Sequence, residues 1–201
     1  MNIILGSTSP RRKAILSGIF DSIKIIAPSI QENHLPSETP VNFSMRMSKD
    51  KCLSILELYA FDGYPSLVIT ADTIVTIDNA IIGKPSDFND AVRIISLLNG
   101  KMHKVITSLT LLAIGSGTKP CGPVTSCAVT RVKFKNLSRE EIVTYLETIE
   151  YMDKAGGYAF QEHGSMIIEQ YHGSVTNIIG FPLRLFFAMV EELGLTDSLF
   201  N

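Results

Sequence analysis

Asn2-Ile3-Ile4-Leu5-Gly6-Ser7-Thr8-Ser9-Pro10-Arg11-Arg12 is the stretch from which the fold is read. Residues 2–5 form a short apolar run closed by Gly6, the pattern of a buried strand. A helix opens at Ser9-Pro10 and carries Ala14, Ile15, Ile19 and Phe20 at helical spacing. Ser9 is a residue type that caps helices, and Pro10 suits the first helical position. Arg11 and Arg12 break this local logic, because each cation at the positive end of a helix dipole costs about 0.3–1 kcal/mol. Such a violation at a strand-to-helix junction marks where an anion should be sought. The Ser7 hydroxyl, main-chain N–H groups and two guanidinium forks would together cradle a phosphate. Exposed arginines on a surface helix are the other reading this stretch leaves open.

Working outward, Ser22–Ala27 reads as a second strand and residues 41–59 as a helix after a polar loop. Residues 67–77 form a long strand that turns at Asp78-Asn79 into a short one at 80–82. Asp87 is placed to cap a helix over 89–98 that Asn99-Gly100 ends. Residues 104–114 and 124–134 read as a hairpin whose tip includes Gly115–Lys119. That tip lacks the spacing of a phosphate-binding P-loop. Ser138 with Glu141 predicts a capping box for a helix to about Thr148. Strands are expected at Ser165–Glu169 and Thr176–Ile179, and a last helix from Pro182 to Gly194. Early alternation of strands and helices around a central hairpin predicts an α/β fold with a mixed sheet.

The chain has 201 residues, 45% of them hydrophobic and 19% charged, which argues against a disordered chain and fits one domain over 1–201, whether undivided or as two closely merged lobes with a common core. A net charge of −2 argues against a nucleic-acid polymer as partner. Cys52, Cys121 and Cys127 form no CxxC pair, and none of the four histidines has metal-ligand spacing. No apolar run reaches membrane-spanning length, and none at the N-terminus fits a signal peptide, so a cytoplasmic protein without a membrane partner is expected.

Asp72 stands out in the strand 67–77. Alternation places Val68, Thr70, Asp72, Ile74 and Thr76 on one face, and an aspartate fixed mid-strand is costly to bury unpaired. It is a candidate general base or cation ligand, or else a structural ion-paired residue. Gly83-Lys84-Pro85 puts a lysine on a tight turn, from which it could reach a phosphate or else be a lone surface charge; Lys51 and Glu32 have the same two readings. Asp153-Lys154 beside Gly156-Gly157 suits close backbone approach to a ligand, and Gln161 has the donors and acceptor to meet a base. His103 reads as structural.

Taken in order, LGSTSPRR, ITADTIV, IIGKP, NGKMHKVIT, DKAGGYAFQ and HGSVTNIIGFPL resemble the Maf family of nucleotide pyrophosphatases over nearly the whole chain. The resemblance implies an inosine-triphosphatase-like elongated mixed β-sheet with flanking helices, in two lobes around a cleft. It implies hydrolysis of a nucleoside triphosphate to the monophosphate and pyrophosphate with a divalent metal cation such as Mg²⁺ or Mn²⁺, in a homodimer. By the same resemblance Ser7, Arg11 and Arg12 hold the triphosphate, Lys51 and Lys84 neutralise charge, and Asp72 activates water. Glu32 and Asp153 join Asp72 at the cation. Thr73, Gln161 and the Arg-Arg pair resemble the branch acting on dTTP and UTP. Departures from the family pattern include Gln31 before Glu32, Ser48 and Cys52 in place of alanines, and Asn99 before Gly100. A noncatalytic nucleotide-binding regulator of division and a nucleotidyltransferase are the competing classes.

Overall fold

The computed structural model describes residues 1–61, 63–115 and 122–200. In chain order the elements are β1 (Asn2–Gly6), α1 (Pro10–Ser17), β2 (Lys24–Ile25), α2 (Pro40–Leu58), β3 (Ser66–Ile77), β4 (Ala80–Ile82), α3 (Phe88–Leu98) and β5 (Met102–Ile114). They continue with β6 (Val124–Phe134), α4 (Arg139–Glu147), a 3₁₀ turn (Ala155–Gly157), α5 (Gly164–Ile167), β7 (Ile168–His172), α6 (Val175–Ile179), α7 (Leu183–Glu192) and α8 (Thr196–Phe200). The strands form a seven-stranded sheet in the order β2-β1-β3-β5-β6-β7, with β4 beside β3. Parallel β1–β2 and β1–β3 pairs occur with antiparallel β3–β4 and β6–β7 pairs, so the sheet is mixed as expected.

The chain divides into two compact units. The first comprises Met1–Asp72, Thr107–Ala128 and Gly180–Asn201; the second comprises Thr73–Ile106 and Val129–Ile179. In the first unit β1 and its stretch of β3 are buried on both faces. Ile3, Leu5, Leu67, Ile69 and Ala71 pack with Leu16 of α1 and Phe186 and Met189 of α7. Ile4 and Val68 pack with Cys52 and Ile55 of α2. In the second unit, Ile94 and Ile95 of α3, Tyr145 and Leu146 of α4, and Phe134 of β6 share one core. His103 is buried there, with Nε2 2.9 Å from the Tyr158 hydroxyl and its ring edge-on to Phe134. It is structural, as its sequence setting suggested.

The capping box of α4 forms in full, and Asp87 caps α3 through the Asp90 N–H. Four local expectations need correction. The strand expected over 22–27 pairs only at Lys24–Ile25, because it is an exposed sheet edge and Pro28 follows closely. Residues 165–167 belong to a helical turn, and pairing begins only where Ile168 meets Phe134. Thr176–Ile179 lies in α6, not in a strand. There Ser174 acts as a cap: its hydroxyl accepts from Asn177 N–H and its carbonyl from Ile178 N–H. This turn sends the buried Asn177 amide to the Val105 carbonyl and Thr130 hydroxyl, which outweighs the β-branched run. Finally, α7 is followed by α8, whose Phe200 stacks on Phe20; five residues are too few for periodicity to reveal. Most of the expected hairpin tip, residues 116–119, and Cys121 lie outside the described residues.

Candidate active site

The site in the first unit begins where β1 ends. A Cβ on Gly6 would lie 2.6 Å from Thr70 Cγ2 and 2.8 Å from Ile55 Cγ1, so only glycine lets α2 approach this closely. Ser7 then leaves the strand buried. Its hydroxyl accepts from Ser9 N–H at 3.2 Å and from Arg12 Nη1 at 3.1 Å. This corrects the capping expectation: Ser9 occupies the N-cap position of α1 but its side chain makes no cap bond. The Ser7 hydroxyl organises the turn in its place, one strand-end earlier.

Arg12 is held from a second side by its Nε–H bond to the Gly180 carbonyl at 2.9 Å. Gly180 has φ of 105°, a backbone conformation that disfavours any side chain. Burial pushes the Arg12 guanidinium below its usual value; Asp72 and Glu32 act to raise it and Arg11 to lower it. Guanidinium basicity is high enough that the charge persists at neutral pH. These four charged groups therefore share one electrostatic neighbourhood.

Helix α2 supplies Lys51. Its Nζ lies 2.7 Å from Asp72 Oδ1 and 2.7 Å from Glu32 Oε1, so two carboxylates converge on one ammonium. Asp72 and Lys51 are buried, whereas the Glu32 side chain is 49% exposed. The inner pair is thus the one for which desolvation matters. Asp72 Oδ2 is buried and has no hydrogen-bond partner among the described residues. A buried carboxylate with one oxygen anchored and the other unsatisfied is set to accept a proton or coordinate a cation.

Thr73, Lys84, Asp153 and Gln161 belong to the second unit. There Gly156 N–H donates to the Gly83 carbonyl at 3.1 Å, joining the Gly83-Lys84-Pro85 turn to the 3₁₀ turn. Gly156 has φ of 73°, and a Cβ on it would meet Val75 Cγ2 at 2.9 Å. Both observations explain Gly156 by its close approach to β3, whereas Gly157 is explained by its φ of 66°. Lys84, Asp153 and Gln161 are exposed and Thr73 is half-buried. Asp153 Oδ1 is 3.0 Å from Nζ of Lys154, a buried lysine that also donates to the Glu150 carbonyl and faces Glu162. Among the described residues, no group of three or more His, Cys, Asp or Glu side chains is placed to hold a metal ion.

Ser7 and Arg12 are thus brought together, as are Glu32, Lys51 and Asp72. Sequence reasoning missed the Gly180 carbonyl and a set of buried hydroxyls behind Asp72: Ser44, Ser48, Thr70 and Thr110. Ser44, Ser48 and Lys51 lie at helical spacing, a signal that was available. Nothing in the sequence ties Gly180 to a residue 168 positions away.

The fold and the site define an α/β protein with a serine–arginine turn in one electrostatic neighbourhood with a buried Lys–Asp pair. The chain belongs to the Maf-like protein family, whose model matches residues 2–193. It is 37% identical over 201 residues to the dTTP/UTP pyrophosphatase of Aquifex aeolicus, covering 100% of each chain. It is 40% identical over 183 residues to the dTTP/UTP pyrophosphatase of Clostridioides difficile, covering 91% of this chain and 90% of that one. A HAM1 protein of Coxiella burnetii, known from its structure, aligns over 95% of this chain and 99% of that one, with 15% identity and a TM-score of 0.46.

Proposed function

We propose that the chain is a hydrolase that cleaves dTTP and UTP to the monophosphate and pyrophosphate. The observation that carries this reading is Asp72: Oδ1 anchored by Lys51, Oδ2 buried and unsatisfied, beside Arg12. Family membership and the full-length pyrophosphatase relatives support the substrate class.

Arg11, Arg12 and Ser7 bind the triphosphate, whose charge of about −4 matches a cradle of cations and main-chain donors. Lys51 holds Asp72 in one orientation and, with Lys84, offsets phosphate charge. A water next to Asp72 Oδ2 gives its proton to the carboxylate as its oxygen bonds to the α-phosphorus. The bond from that phosphorus to the bridging oxygen breaks, and pyrophosphate leaves. Positioning and charge neutralisation supply most of the acceleration in such displacements. Thr73 and Gln161 are assigned to the nucleoside, where Gln161 has the hydrogen-bonding groups to meet a pyrimidine edge.

A divalent cation, Mg²⁺ or Mn²⁺, belongs to this reading. Glu32 and Asp72 fit it, since both carboxylates already face a cation in Lys51, while Oδ2 of Asp72 is left to the water. Carboxylates are the hard oxygen donors such a cation takes, and the ion would supply charge neutralisation there. Asp153, engaged with Lys154, is the third carboxylate proposed for it. The reading also takes the protein to be a cytoplasmic homodimer. Cys52 and Cys127, both free thiols, agree with a reducing compartment. No helix among the described residues is long and apolar enough to cross a membrane.

The test is a panel of common and modified nucleoside triphosphates, read by pyrophosphate release with Mg²⁺ and with Mn²⁺. Preference for dTTP and UTP, with monophosphate as the second product, is expected. Binding with no pyrophosphate release from any nucleotide under either metal would overturn the assignment.

A further inference from the structure

Behind the Lys51–Asp72 pair lies a set of hydroxyl groups that the mechanism does not use. Ser44, Ser48, Thr70 and Thr110 are all completely buried. On α2, Ser44, Ser48, Lys51 and Ile55 follow one another at intervals of four, three and four residues, so they line a single helix face. Opposite them, Thr70 and Asp72 share one face of β3.

The two elements are fastened at successive levels. The Thr70 hydroxyl donates to the Ser48 carbonyl at 2.7 Å, and the Ser48 hydroxyl donates back to the Thr70 carbonyl at 3.3 Å. One helical turn earlier, the Ser44 hydroxyl donates to the Asp72 carbonyl at 3.3 Å. The Thr110 hydroxyl donates to Ser48 Oγ at 2.9 Å and lies 2.9 Å from Thr125 Oγ1. Proton counting orders this chain. A hydroxyl has one proton, and carbonyls only accept, so the direction runs from Thr125 through Thr110 and Ser48 to the Thr70 carbonyl.

Apolar packing alone specifies such a contact weakly along the helix axis, since burial is non-directional. Hydrogen bonds fix direction and distance. The reciprocal Ser48–Thr70 pair locks the helix at one level along β3. Ser44 lies level with Asp72 and Ser48 with Thr70, so α2 and β3 run in opposite directions, and Lys51, three residues beyond Ser48, reaches back along the helix to meet Asp72 at 2.7 Å.

We propose that the Ser48–Thr70 pair, aligned by Thr110, is a positioning device that sets the register of α2 on β3 and thereby the Lys51–Asp72 contact. These are positioning residues, acting only through Lys51 and Asp72. The link to turnover rests on the hydrolase reading above; the link to geometry does not.

Thr70→Val and Thr70→Ser separate the roles of the hydroxyl and the methyl. Valine keeps the shape and loses the donor; serine keeps the donor and loses the methyl that packs over Gly6. In Thr70→Val, kcat for the best triphosphate in the panel falls at least tenfold, while KM changes less than threefold. The cradle residues, on β1 and α1, are not held by this pair. Thr70→Ser retains kcat within threefold, even where its melting temperature is the lower of the two. Loss of kcat that follows melting temperature, or equal loss in both variants, overturns the proposal. Crystal structures of the two variants give a readout that needs no turnover. The Lys51 Nζ to Asp72 Oδ1 separation opens beyond hydrogen-bonding range in Thr70→Val and stays closed in Thr70→Ser. An unchanged separation in Thr70→Val overturns the register role. Absence of hydrolysis by the wild-type protein would instead remove the function proposed above, leaving the crystallographic comparison to decide the positioning role.

Discussion

At Asp72 one carboxylate oxygen is spent on Lys51 and the other is buried without a hydrogen bond. Removing a buried ion's partner ordinarily costs several kcal/mol, so Lys51 is the contact on which the buried Asp72 side chain depends. The outer contact, from Lys51 to half-exposed Glu32, is of the kind that contributes little to stability. Asp72→Asn removes the proposed proton acceptor while preserving shape. Turnover of the best triphosphate should fall about 10²–10⁴-fold, the range of general-base contributions, with nucleotide binding retained by calorimetry. Turnover near the wild-type rate in that variant would exclude Asp72 as the base. Arg12 illustrates a different residue-level point. Its placement by Ser7 and by the Gly180 carbonyl explains how an arginine stays at a helix start that its charge disfavours.

Among the elements, the approach of α2 to the sheet is the decisive one. It depends on Gly6, whose missing side chain makes room for Ile55 and Thr70. Gly6→Ala should therefore destabilise the protein by about 1–3 kcal/mol through overpacking, read as a lower urea midpoint with unchanged slope. The same variant should lose activity beyond what its stability predicts, because α2 carries Lys51. A stability within about 0.5 kcal/mol of wild type would show that the helix yields without cost. Elements with chemical punctuation were legible in the sequence: Asp87 capping α3, the Ser138–Glu141 box of α4, and the Asp78-Asn79 turn, where both residues adopt positive φ. Elements decided by distant partners were not. Asn177 is the clearest case, since its β-branched neighbours suggest a strand while its buried amide needs Val105 and Thr130.

For the whole molecule, pH acts through groups buried during folding. Burial pushes His103 down to about 4 from 6.5. A base whose folded value is depressed binds fewer protons in the folded state than in the unfolded chain. Stability is therefore full above pH 6.5 and falls as pH drops towards 4, by about 3 kcal/mol across that window. Glu38 adds a second loss at lower pH. Its bond to Arg46 holds it at about 2 instead of 4.5, so its contribution is present above 4.5 and disappears as pH falls through 2. Urea unfolding between pH 7 and 4 should show the first loss, and His103→Gln should flatten it. An equal slope in that variant would assign the loss to other groups.

The sequence by itself determined the strand–turn–helix opening, the mixed α/β class, and which residues are candidates for the site. Those features are written in local spacing: an apolar run ended by glycine, arginines at a helix start, an aspartate inside a strand. Tertiary structure alone decided that Lys51 bridges Glu32 and Asp72, that Ser7 rather than Ser9 organises the turn, and that Gly180 holds Arg12. It also decided that Asp72 Oδ2 is left without a hydrogen-bond partner among the described residues. The physical reason is that periodicity encodes which face of an element is buried. A hydrogen bond or ion pair across 21 or 168 residues depends on how separate elements pack, and no local pattern carries that.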